Sequence, residues 1–193
     1  MGILDNPGNI TGSNDRHLRR REDMDQDTSS HIKDLIGVLS SYNDLSRVEA
    51  RKALVAFGSQ TIPFLAEALK DPNFLRRWEA AKALGEIGDP KAAPILIKAL
   101  EDEKFDVRWL AAKGLIDMNV KGLKPLFEAL VERADSVLLR QGVHHVLHDL
   151  AKGELRIHLA PVLIALECMT DCAVQVPPVA SHALNDLVKA GII

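Results

Sequence analysis

The chain has 193 residues, enough for one domain with a sizeable core, and its 24 basic and 27 acidic residues leave a formal net charge of −3. That balance argues against broad non-specific binding to nucleic acid or to anionic membranes. Aromatic residues make up only 4%, while Ala and Leu are abundant, which points to close-packed helices rather than a β-sandwich. The most apolar stretch, Leu159 to Met169, is too short to span a bilayer, and no basic-then-apolar leader is visible. Cys168 and Cys172 are the only cysteines. Four apart on a predicted helix, they are poorly placed for a disulfide, so a reducing cytoplasm is the expected setting.

Residues 1–27 read as an N-terminal extension, flexible or ordered on a partner, because they show no apolar periodicity. A basic run (Arg16, His17, Arg19, Arg20, Arg21) precedes an acidic one (Glu22, Asp23, Asp25, Asp27), and Arg16, Arg19, Arg20 and Arg21 are candidate partner contacts. From residue 28 to residue 193 the pattern is helical. Ser29 or Ser30 is placed to cap a helix with Ile32, Leu35, Ile36 and Leu39 on its apolar face.

An octet then recurs. It starts at Arg47, Arg77, Arg108 and Arg140, in steps of 30, 31 and 32 residues, and each copy ends in Leu (Leu54, Leu84, Leu115, Leu147). A period that short means stacked supersecondary units. Each octet marks a first helix. Each second helix carries a proline near its start (Pro63, Pro94, Pro125, Pro161), tolerated there because a first-turn N–H has no intrahelical acceptor. Ala50, Ala80, Ala111 and Val143 form a row of small residues one turn before the Leu row, as close helix stacking requires. The fourth turn, near Gly153, reads about four residues longer than the others. A last helix from Pro177 to about Lys189 reads as a lone first helix closing the stack. The expected fold is all-α: a right-handed α-solenoid of about four antiparallel helix pairs with terminal capping helices.

The segment from Arg77 to Ala92, with Ala80-Ala81, Ala83-Leu84 and the turn Gly88-Asp89-Pro90, resembles a HEAT repeat. It is most similar to the short HEAT-like type of phycobilisome (phycocyanobilin) lyases and many bacterial and archaeal proteins. The resemblance extends over about residues 28 to 190 and implies either a scaffold or adaptor, or a bilin lyase or phycobilisome-handling protein that binds a tetrapyrrole. A related hydroxylase that builds hypusine uses His-Glu pairs as metal ligands, and no His-Glu dipeptide occurs here.

His144, His145 and His148, with His158, Cys168 and Cys172 on the partner helix, are the only cluster with metal-ligand spacing. An antiparallel partner keeps these groups from converging, so no metal is expected. No Ser-His-Asp order, phosphate loop or Rossmann glycine pattern appears, and neither catalysis nor a cofactor is expected. Arg47, Arg77, Arg108 and Arg140 each lie near an acidic turn residue (Asp44, Asp71, Asp102, Asp135) and read as a structural ladder between repeats. Trp78 and Trp109, the only tryptophans, stand at equivalent octet positions and are candidate partner-binding residues. Ala81 and Gly85, one turn beyond Trp78, are small enough to seat an indole laid flat. The second helices carry mixed charges (Glu67, Lys70, Lys98, Glu101, Lys124, Glu128, Glu132), unlike a DNA-binding face. The expectation is therefore a non-catalytic interaction scaffold or adaptor, a subunit or assembly factor of a larger complex. Its partners are proteins, with no nucleic acid, membrane insertion or small molecule.

Overall fold

The computed structural model describes residues 11–168 and 170–193, with side chains from Met24 onward within the first helix. Among the described residues there are ten α-helices: α1 (Thr11–Val38), α2 (Asp44–Phe57), α3 (Ile62–Ala68), α4 (Phe74–Ile87), α5 (Ala93–Ala99), α6 (Phe105–Met118), α7 (Leu123–Glu132), α8 (Val137–Leu150), α9 (Leu155–Leu166) and α10 (Cys172–Lys189). Among the described residues there is no strand. No helix among them is long and apolar enough to cross a membrane.

The first helices α2, α4, α6 and α8 pack side by side, α3 and α5 pack against the first helix that follows each of them, and α9 packs against α8, so the architecture is an all-α solenoid. The two rows read from the octets form its spine. Ala50, Ala80, Ala111 and Val143 are buried, as are Leu54, Leu84, Leu115 and Leu147. Leu65, Leu96, Leu126 and Phe127 enter the same core from the second helices.

Local chemistry sets the helix ends. Asn43, Asn73 and Ser136 accept backbone N–H bonds from Ser46 (3.2 Å), Leu75 (2.9 Å) and Leu139 (3.3 Å) at the starts of α2, α4 and α8. The first helices α2, α4 and α6 end at Gly58, Gly88 and Asn119, whose φ values of 64°, 64° and 55° require residues that tolerate the left-handed region. A short 3₁₀ turn follows each of these three and leads into the next helix.

Helix α1 runs through the boundary expected at 27/28, and Ser29 and Ser30 lie inside it rather than at its cap. Ile32 in its C-terminal part, with Leu39 just beyond its end, enters the core where α1 packs on α2 and α3. Upstream, the sequence spaces opposite charges four apart, Arg19 with Asp23 and Arg21 with Asp25, a spacing that supports a helix without an apolar stripe.

The fourth unit departs from expectation in three ways. The turn after α8 is no longer than the others; the extra residues start α9 early, so Pro161 lies inside the helix instead of its first turn. Helix α10 begins at Cys172 and carries Pro177 and Pro178 within it. It does not close the stack as a first helix beside α8. It packs on α7 and on α9, a place a regular array would give to the next second helix, burying Val176, Ala180, Ala183 and Leu187. The lengthened α9 packs on α8 and α10, and it is α10 that packs on α7.

Cys168 and Cys172 form a disulfide with Cα atoms 5.9 Å apart. The expectation that their spacing forbids one fails because they do not share a helix. Cys168 lies beyond the end of α9, Cys172 opens α10, and the chain reverses between them at Asp171, whose φ is 56°. The argument for a reducing compartment from that spacing lapses with it.

Neighbouring turns are also tied together. The Ser59 hydroxyl donates to the Asp89 carboxylate, which also accepts the Lys91 N–H at 2.8 Å. The Ser59 hydrogen bond, with the Lys91 backbone bond adding to it, holds the Asp89 carboxyl below the usual carboxylate range. A depressed folded-state pKa stabilises the fold above the unfolded-state value and loses that stabilisation as pH falls through the folded-state value. Asp89→Asn keeps an amide oxygen for the cap but does not titrate. In urea melts stepped from neutral to acid pH, the wild type should therefore lose more stability below about pH 4 than this variant.

Candidate functional site

The Arg ladder is built on the loops. Each octet arginine donates from one guanidinium nitrogen to the carbonyl six residues before it: Arg47 to Ser41 (2.6 Å), Arg77 to Asp71 (2.9 Å), Arg108 to Asp102 (2.8 Å) and Arg140 to Ala134. These carbonyls lie where the chain leaves one helix for the next first helix, so the arginine satisfies backbone that no helix serves. Contacts between repeats are less regular. Arg77 reaches Asp102 (2.7 and 3.2 Å) and Glu103 (3.0 Å) of the following loop, and the Asp102 hydrogen bond raises its pKa further. Arg47 reaches Glu79 at 3.3 Å. Arg108 instead lies over the Phe105 ring, 5.6 Å from its centroid.

Glu79 is a buried charge that the sequence did not single out. It is 1% exposed on α4 and accepts from Arg47 and from Arg51 (2.9 Å), both on α2; Arg51 also meets Glu86. Its octet counterpart Glu49 is exposed, so the column alone carries no signal of burial.

The rings of His144 and His148 stack with centroids 6.1 Å apart, and His144 lies 3.7 Å from Glu167. His145 is exposed. Among the described residues no three His, Cys, Asp or Glu side chains gather as a ligand group.

The two tryptophans border a common groove. At its floor the backbones of α4 and α6 touch: a Cβ on Gly114 would come within 2.9 Å of the Gly85 Cα. Gly85 thus faces Gly114 and does not seat an indole. Two bare backbones leave a trough of about 580 Å³ between the helix ridges, lined by Trp78, Lys82 and Glu86 on one side and Asp106, Trp109, Lys113 and Asp117 on the other. Trp78 is half-buried against the core, with the Lys82 ammonium 5.0 Å from its ring centroid. Trp109 is 47% exposed and also borders a second cavity of about 190 Å³ between α6 and α8, with Phe105, Leu138 and His145. It therefore stands as a ridge between two grooves. The other candidates, Arg16, Arg19, Arg20 and Arg21, belong to α1, and their side chains lie outside the described residues.

Stacked antiparallel helix pairs whose small and Leu rows recur in one buried register define an α-solenoid repeat protein. The family model described as HEAT repeats matches residues 32–116. The match covers α2 to α6 and so contains both tryptophans and the groove floor. No curated protein matches the chain.

Proposed function

We propose that this chain is a non-catalytic scaffold or adaptor, a subunit or assembly factor of a larger complex, that holds a protein partner on the outward face of α4, α6 and α8. HEAT repeats are in general protein-interaction scaffolds. The observation that carries the reading is Trp109: a large aromatic side chain, half in solvent, between two grooves and beside a second tryptophan. Indoles in such settings bury much apolar area for little conformational entropy and dominate binding energy. The groove's charge favours a protein over a tetrapyrrole, whose propionates call for a surplus of positive charge; here two lysines face Glu86, Asp106 and Asp117.

The test is recovery of the native partner by wild type, Trp109→Ala and a chain lacking residues 1–27. Trp109→Ala should weaken the partner by about 2 kcal/mol, roughly 30-fold, while changing fold stability by less than about 1 kcal/mol. Unchanged affinity in that variant overturns the reading. Loss of the partner on truncation assigns the N-terminal arm a share of the contact.

A further inference from the structure

We propose that the groove between α4 and α6 is a polar-sequence reader for one partner helix, one that carries an apolar, an acidic and a basic side chain at successive turns of a single face. This rests on the scaffold reading and specifies its ligand. The groove walls repeat one another. Trp78, Lys82 and Glu86 run down α4 at four-residue spacing, and Trp109, Lys113 and Asp117 run down α6 at the same register. Residues four apart form the ridges of a helix surface, and the trough between two ridges accepts the ridge of a third helix. Each level of this trough is doubled: two indoles, then two ammonium groups, then two carboxylates.

Levels four residues apart are separated by about 6 Å along the axis. A docking helix meets the same rise with its own residues at i, i+4 and i+8. Its apolar side chain lies between the indoles, its carboxylate between the lysines and its cation between Glu86 and Asp117, whose carboxylates are paired with Arg51 and Lys113 but remain 38% and 51% exposed. The lysines are available for this. Among the described residues Lys82 has no carboxylate partner and rests on Trp78, and Lys113 is held only by Asp117 at 2.8 Å, a pair about half exposed on each side. Exposed pairs of that kind are worth little and exchange partners at small cost. A second copy of this chain is the wrong occupant. In full register either two-fold arrangement of this face against itself sets lysine against lysine, which repels, and the antiparallel copy slid by one level that pairs lysine with carboxylate leaves the indoles uncovered.

Two alanine-rich helical peptides test the proposal, one with Leu, Glu and Lys at i, i+4 and i+8, the other with Leu, Lys and Glu. The protein's only two tryptophans line the groove, so their fluorescence reports binding directly, and labelled peptide anisotropy serves for the tryptophan variant. At low salt the first peptide should bind saturably and at least tenfold more tightly than the second. Trp109→Ala should lose at least tenfold, and the doubly substituted Lys82→Glu, Lys113→Glu protein, folded by circular dichroism, should no longer distinguish the peptides, because its inverted second level favours one and its unchanged third level the other. Equal binding of both peptides by the wild type, or none of either, overturns the inference. So does a dimer in sedimentation that Trp109→Ala dissociates, which would hand the face to a second copy. Loss of the native partner in Trp109→Ala with no discrimination between peptides removes this inference alone; a native partner retained by Trp109→Ala with no peptide bound removes the scaffold reading as well.

Discussion

Glu79→Ala should lower the unfolding free energy by about 3–5 kcal/mol, the cost of removing one partner from a buried ion cluster. Glu79 is 1% exposed, and the arginines it serves, Arg47 and Arg51, are themselves almost without solvent. Truncating the carboxylate leaves Arg51 with only Glu86 at the rim, so part of the desolvation penalty of its charge is no longer offset. The measurement is a urea midpoint at unchanged slope. Glu49→Ala, in the same octet column but exposed, should move stability by no more than about 0.5 kcal/mol. Replacing Glu79 and Arg51 together with Leu should recover much of the loss, because Arg47 keeps Asp44 and the Ser41 carbonyl and Glu86 reaches water. A Glu79→Ala cost near that of Glu49→Ala would show that the cluster does not hold α2 to α4.

Gly114→Val should destabilise by about 3 kcal/mol, at the upper end of overpacking costs. The first added carbon already meets the Gly85 Cα at 2.9 Å and a Leu96 methyl at 2.9 Å. The nearer obstacle is backbone, which cannot rotate away, so α4 and α6 must separate. Gly37→Ala supplies the contrast. Its added carbon meets nothing within 4 Å, and the gain in helix propensity should stabilise by about 0.5–1 kcal/mol. Because Gly114 also forms the groove floor, Val there should shift the tryptophan emission as well as the melt.

Much of the fold was legible because stacking helices impose a period. A small residue at Ala80 and a Leu at Leu84 repeat because each pair presents the same face to its neighbour. The fourth unit was misread for a related reason. Proline at Pro161 matched the column of Pro63 and Pro94, but a column fixes only the residue type, and whether a helix starts there depends on what packs in front of it. Cys168 and Cys172 were placed on one helix because nothing in the local pattern marks the reversal at Asp171. At the site, the tryptophans were visible as rare residues at matched positions. The groove was not, since it depends on Gly114, inside the octet, and Gly85, one residue beyond it, which meet only when two helices are laid together. Glu79 was hidden for the same reason: a glutamate on a helix face reads as solvated until a neighbouring helix supplies two arginines.

The seat of α10 bears on how such an array can lengthen. In a regular solenoid each pair touches only the next, so copying one pair anywhere leaves its neighbours satisfied. Here α10 reaches back past α8 and α9 to α7, so the last four helices are one indivisible block. A duplication falling between α7 and α8 would carry the docking surface away from its occupant and strand an apolar helix face in water. Duplications upstream of α7 meet no such obstacle, which makes the α2–α6 segment the part of the chain free to grow or shrink by whole repeats.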